Sequence, residues 1–194
     1  MAAEKEAIDL DSFTPDEARN FEAPTDRFYC KISDNTYNIK FRRYKIRDID
    51  SGYTLVDIND EDAEDSKTEG EEPEPADEDR LLRYQFGPDF LLLRTIGTEL
   101  TFSVGDKPVK NLVMIERHYF KDKLIKSFEF NFKFCIPNTT NSWEVIYDMP
   151  DLTDEEKKDI ISSPWETKSD SFFFVQNRLV MHTRAIYDYS PFDD

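Results

Sequence analysis

The side chains able to do nucleophilic, acid–base or metal chemistry are few: two histidines, His118 and His182, and two cysteines, Cys30 and Cys135, in 194 residues. Nucleophilic catalysis needs a Ser or Cys activated by an adjacent base, and neither histidine has such a partner in a recognisable local motif. The cysteines form no metal-ligand spacing. Glu116 and His118 stand at i and i+2, so on a strand they share a face. A metal site there would want a third ligand that the sequence does not offer, leaving a pocket or a surface pair. Five scattered glycines make neither a phosphate loop nor a dinucleotide fingerprint. The expectation is a protein that is not an enzyme and uses no cofactor and no metal. What remains is non-covalent chemistry, and there the chain is rich. In SFEFNFKFCI, Phe128, Phe130, Phe132 and Phe134 occupy every second position. On a strand those rings and Ile136 form one face, with Ser127, Glu129, Asn131, Lys133 and Cys135 on the other. Such a face needs an apolar cover: either the opposite sheet of a sandwich or an apolar guest in a slot.

The elements that must hold these faces are mostly short strands. YNIKFRRYKIRDID, a Ser51-Gly52 turn and YTLVDI open the strand text. LLRYQFGP puts Leu82, Tyr84 and Phe86 on one side, and DFLLLRTIG follows as a strand or short turn. ELTFSVGDKP alternates Leu100, Phe102 and Val104; VKNLVMIERHYF and KSFEFNFKFCI flank a Lys121-Asp122-Lys123 turn. NTTNSWEVIYDMP is followed by SDSFFFVQNRLVMHTRAIYDY, two strands across Gln176-Asn177. Many short strands with turns every eight to twelve residues indicate an all-β antiparallel sandwich. Two capping boxes, Thr14-Pro15-Asp16-Glu17 and Thr153-Asp154-Glu155-Glu156, predict one or two short helices, the second from about Asp154 to Ser162.

Residues 1–30 read as a flexible polar segment, and residues 31–194 as the sandwich domain. Residues 57–80 carry 13 acids against 2 bases and read as a disordered acidic loop. They hold −11 of the chain's net −17, which comes from 42 acids and 25 bases. That balance argues against nucleic acid and against a peripheral membrane surface, whose ligands are usually basic. No run of 18 apolar residues exists for a membrane span. The charged start, MAAEKEAIDL, is unlike a signal peptide, so the cysteines read as reduced thiols in a cytoplasmic protein. A Met-Ala start gives no site for an N-terminal lipid of its own.

Tyr84, Phe86, Phe90, Leu92, Phe102, Phe128 to Phe134, Phe172 to Phe174 and Tyr187 give more aromatic surface than a small sandwich needs. Crowded rings holding two sheets apart would leave a narrow dry cavity, and an empty apolar cavity destabilises unless a guest fills it. A saturated acyl chain suits it: at about 0.8 kcal/mol per methylene, twelve methylenes gain roughly 10 kcal/mol.

Longer motifs carry a resemblance. VGDKPVKNLVMIERHYFKDKLIKSFEFNFKFCIPN, IYDMP, ETKSDSFFFVQNRLVMH and YDYS, with KIRDIDSG and RYQFGPDFLLLRTIG upstream, resemble the uncoordinated-one-nineteen family of lipid chaperones over about Tyr37 to Ser190. That family is similar to the delta subunit of rod phosphodiesterase and to the Rho guanine-dissociation inhibitors. The resemblance implies an immunoglobulin-like β-sandwich with a hydrophobic lipid tunnel between the sheets. It implies a monomeric carrier of N-myristoylated proteins, among them G-protein α subunits and ciliary cargo. Release to GTP-bound Arf-like small GTPases, and service in cilia and the nervous system, are implied with it. It places Tyr84 and Glu116 at the cargo's first residues, with His118 beside them, and Phe90, Ile96, Phe128, Phe130 and Tyr147 on the tunnel walls. Phe102, Phe173 and Tyr187 join this set from the apolar faces. Relatives usually read SDSFYFV, so Phe173 stands here in place of a tyrosine and one pocket hydroxyl is lost. A prenyl carrier, or an interaction sandwich without lipid, are the other readings.

Overall fold

The computed structural model describes residues 13–59, 77 and 80–192. Nine strands dominate it: β1 (Lys40–Asp48), β2 (Thr54–Asn59), β3 (Leu82–Gln85), β4 (Thr95–Ser103), β5 (Val109–Phe120), β6 (Lys123–Cys135), β7 (Thr140–Asp148), β8 (Thr167–Val175) and β9 (Arg178–Asp188). They form two sheets, ordered β2-β1-β4-β7 and β3-β9-β8-β5-β6. The fold is therefore an all-β, immunoglobulin-like sandwich with two short helices, α1 (Pro15–Arg19) and α2 (Asp154–Ile161). Both helices begin where the capping boxes placed them: Thr14 and Thr153 accept from the N3 amides of Glu17 and Glu156, whose carboxylates reach back to the cap amides. The β8–β9 turn at Gln176-Asn177 has φ of 52° and 67°, the pair of positive values that a tight two-residue hairpin requires.

Four features depart from the sequence reading. First, β3 pairs with β9 in parallel, Tyr84 opposite Tyr187, so the sandwich is not wholly antiparallel. Second, the acidic loop does not begin at residue 57, because β2 runs on to Asn59 and pairs it with Arg43; residues 60–76 and 78–79 lie outside the described residues. Third, the phenylalanine face of β6 does not run its full length. Asn111, opposite that end, has a left-handed φ of 52°, which breaks the regular pleat. Beyond it the inward residues are Val109 and Cys135 rather than the pair Lys110 and Phe134. Phe134 and Ile136 consequently face solvent, at 51% and 61% exposure.

Fourth, residues 13–30, expected to be loosely held, form a strap across the outer face of β5, β8 and β9. Strand alternation sends Phe172 and Phe174 outward while Phe173 points in, and the outward rings need cover. Phe13, Ala18 and Cys30 pack on them, with Phe21 and Tyr29 around the edge. The strap backbone is also tied by side chains. Arg117 donates to the Phe21 carbonyl at 2.9 Å and 2.5 Å. Asp170 accepts from the Thr25 amide at 2.8 Å and its hydroxyl at 2.6 Å. His182 Nδ1 accepts from the Tyr29 amide at 3.0 Å. The aromatic residues of this segment are its anchor, and among its polar residues Thr25 turns inward to Asp170.

Between the sheets the apolar residues fall into two clusters. One gathers Ile39, Phe102, Val109, Leu112 and Phe173; the other gathers Ile46, Phe90, Ile96, Ile160 and Tyr187. α2 contributes Ile160 to the second.

Candidate binding chamber

A cavity of about 370 Å³ lies between the sheets and draws its walls from both clusters. That size is in the range of small-molecule sites. A second chamber of about 60 Å³ adjoins it, and Tyr44, Glu116, Tyr147 and Tyr187 line both. The space exists because inward positions of the central strands are small. Ser169 and Ser171 on β8, and Thr183 and Ala185 on β9, line the large chamber between the larger residues Phe173 and Tyr187. In register they form two rows, Phe128–Glu116–Ser171–Thr183 and Lys126–His118–Ser169–Ala185. Crowded rings alone, the reason expected from composition, do not make the gap. Small residues opposite large ones do.

The predicted residues separate by chamber. Tyr84, Phe130 and Phe173 line the large one, with Met114, Leu100 and Trp143. Phe90, Ile96, His118 and Phe128 line the small one, with Met149. Glu116, Tyr147 and Tyr187 stand at the junction. Phe102 lines neither: it is buried edge-on against Phe132 and Trp143, ring centroids 5.6 Å and 5.3 Å away, and belongs to the packed core. It faces the inter-sheet space as expected, but those two rings stand around it.

Several polar groups in this largely apolar space are paired with one another. His118 Nε2 and Glu116 Oε1 lie 2.9 Å apart, confirming their shared face. Ser169 Oγ and Tyr187 Oη are 2.8 Å apart, and Thr98 Oγ1 and Tyr147 Oη 3.2 Å. Thr167 Oγ1, on the small chamber, is the one buried side-chain polar atom without a hydrogen-bond partner among the described residues. Burial pushes the phenols of Tyr84, Tyr147 and Tyr187 above their usual range, and the Glu116 charge adds to the rise. Tyr44 is raised in the same way, by burial first, then Tyr147 and Glu116. The junction is therefore a ring of neutral phenols around one carboxylate. An elongated apolar guest with a neutral head, offering one donor and one acceptor, fits these walls. Among the described residues no group of three or more His, Cys, Asp or Glu could hold a metal ion.

The GMP-PDE, delta subunit family model matches residues 33–189. The chain is 49% identical over 179 residues to Protein unc-119 homolog B of Danio rerio, covering 91% of this chain and 74% of that protein. It is 44% identical to the Homo sapiens Protein unc-119 homolog B, covering 96% and 76%. It is 42% identical to Protein unc-119 of Caenorhabditis elegans, covering 97% and 85%. The chain belongs to the unc-119 family of lipid-binding chaperones.

In this unc-119 family member, sequence reasoning missed Tyr44, Met114, Trp143 and the hydroxyl residues of β8 and β9 as lining. Tyr44 pairs with Leu100, which the alternation of β4 turns inward, but that register is visible only in the folded sheet. The small residues gave no signal, because absent volume is visible only once opposing strands are in register. Phe173 lies opposite both Met114 and Met181 and packs on Phe41 at 5.2 Å, an apolar surrounding in which its missing hydroxyl leaves no polar group unpaired. Among the described residues no helix is long and apolar enough to cross a membrane.

Proposed function

We propose that this chain is a carrier for the N-terminal myristoyl group of partner proteins, and not an enzyme. The observation that carries the reading is the cavity of about 370 Å³ between the sheets, mostly apolar along its walls and bordered by Glu116 among four phenols. A myristoyl chain of twelve methylenes gains roughly 10 kcal/mol on leaving water, the same gain that holds it only marginally on a bilayer. A dry slot in a protein competes on those terms. The acyl chain ends in a glycyl amide, whose buried N–H and C=O need partners. Glu116 accepts and Tyr84 donates; a small residue after the glycine leaves the amide room to reach them. Phe90, Ile96, Phe128, Phe130, Tyr147, Phe173 and Tyr187 line the tail, with His118 holding Glu116.

The family resemblance supplies the finer proposals. N-myristoylated G-protein α subunits and ciliary cargo are the partners. A GTP-bound Arf-like small GTPase, docking outside, releases them. The protein works as a monomer in the cytoplasm and at cilia.

Titration with fluorescent myristoylated, farnesylated and unmodified copies of one glycine-led peptide tests the reading. Selective binding of the myristoylated copy is expected, weakened at least about tenfold, or about 1.4 kcal/mol, in Phe128→Asp and in Glu116→Ala. Preference for the farnesylated copy would make it a prenyl carrier, and equal binding of all three would remove lipid from the function.

A further inference from the structure

Glu116 borders both chambers, so it is within reach of a chain that fills either one. Among the described residues, Glu116 is the one carboxylate on the chamber walls; the cations there have contacts of their own. Arg43 is held by Asp57 at 2.8 Å and 2.7 Å, Arg42 donates to Ser103 at 3.0 Å, and Lys126 sits 5.8 Å from the Phe128 ring. His118 Nε2 is bound to Glu116 itself.

We infer that the Glu116 carboxylate makes the chamber selective for neutral acyl head groups, amides above all, against the carboxylates of free fatty acids with the same tail. This rests on the acyl-carrier reading above and adds to it a discrimination between head groups on the same tail. An amide presents an N–H that Glu116 accepts and a carbonyl that a phenol can serve. A fatty carboxylate presents only acceptors and a second negative charge. Two carboxylates in one low-dielectric site cannot both stay ionised without strong mutual repulsion. Burial first keeps Tyr44, Tyr84, Tyr147 and Tyr187 around Glu116 neutral, and a negative charge on that carboxylate acts in the same direction. Tail contacts are identical for amide and acid, so the discrimination resides in the head alone.

The test is a competition assay in which myristate and N-myristoylglycine amide displace one fluorescent myristoylated peptide. The wild-type protein is expected to hold the amide at least about thirtyfold more tightly than the acid. Glu116→Gln keeps the side-chain volume and an acceptor oxygen while removing the charge, and is expected to lower that ratio at least about tenfold through a gain in myristate binding. A wild-type protein that binds acid and amide alike overturns the inference but leaves the carrier reading intact. So does a ratio unmoved in Glu116→Gln of native near-ultraviolet circular dichroism. If the variant fails to fold, the wild-type ratio decides the matter. Failure of both ligands to compete overturns the inference and the carrier reading together.

Discussion

At the scale of single residues, the binding space depends on what is small as much as on what is aromatic. Ser171, between Glu116 and Thr183 in register, is buried yet leaves open volume in front of it. Replacing it by leucine fills space rather than removing contacts, so Ser171→Leu is expected to keep the fold, with a midpoint of thermal unfolding near the wild-type value. It should weaken binding of a myristoylated peptide at least about tenfold, or about 1.4 kcal/mol. Calorimetric titration and a thermal melt read the two effects separately; a variant that melts normally and binds normally would place the guest elsewhere. Sequence alone singled out Glu116, His118, Phe128 and Phe130, all of which stand on the chamber walls, because charge and ring spacing are visible along one strand. It could not identify Ser169, Ser171 or Thr183, whose role lies in the volume they do not occupy.

At the scale of elements, local signals were legible and long-range ones were not. The capping boxes gave α1 and α2 because their hydrogen bonds close within three residues. The parallel pairing of β3 with β9 joins residues about a hundred positions apart and has no local signature. The strap hides its anchor in the same way: Phe13 and Phe21 read as stray aromatics until Phe172 and Phe174 are seen to need cover. That strap is expected to respond to acid. His182 is stacked on Phe172 at 4.3 Å, and its Nδ1 lone pair accepts from the Tyr29 amide. Burial holds its pKa below the usual imidazole range, despite the opposing pull of Asp170, with Arg184 and Arg80 helping to lower it. A depressed folded value means that the stabilisation is complete above about 6.5. It is lost as the pH falls toward the folded value. Hydrogen exchange at residues 21–30 should therefore quicken below that point, before the sandwich unfolds; protection that persists to global acid unfolding would contradict it. α2 follows the same sign at lower pH. The Thr153 amide and hydroxyl and the Lys123 ammonium hold Glu156 down to about 2 from 4.5. Its capping contribution should be intact above about 4.5 and fade toward about 2, seen as faster exchange of the first-turn amides; the variant Glu156→Gln should show no such step.

At the scale of the whole molecule, two sheets are held together at each end by packed clusters and stay apart between them. That arrangement costs cohesion, since unfilled apolar volume forfeits contacts, and a guest restores them. The sandwich class was legible from strand count and turn spacing; the division of the interior into two chambers by Tyr44, Glu116, Tyr147 and Tyr187 emerges only from both sheets together. The most direct test uses the four methionines of the chain as reporters. Met114 lines the large chamber and Met149 the small one. With methyl-labelled methionine and a myristoylated glycine peptide, nuclear Overhauser effects are predicted from the acyl methylenes to the Met114 methyl, the Met149 methyl or both. A complex that shows no such contact to either would contradict an acyl chain bound between the sheets.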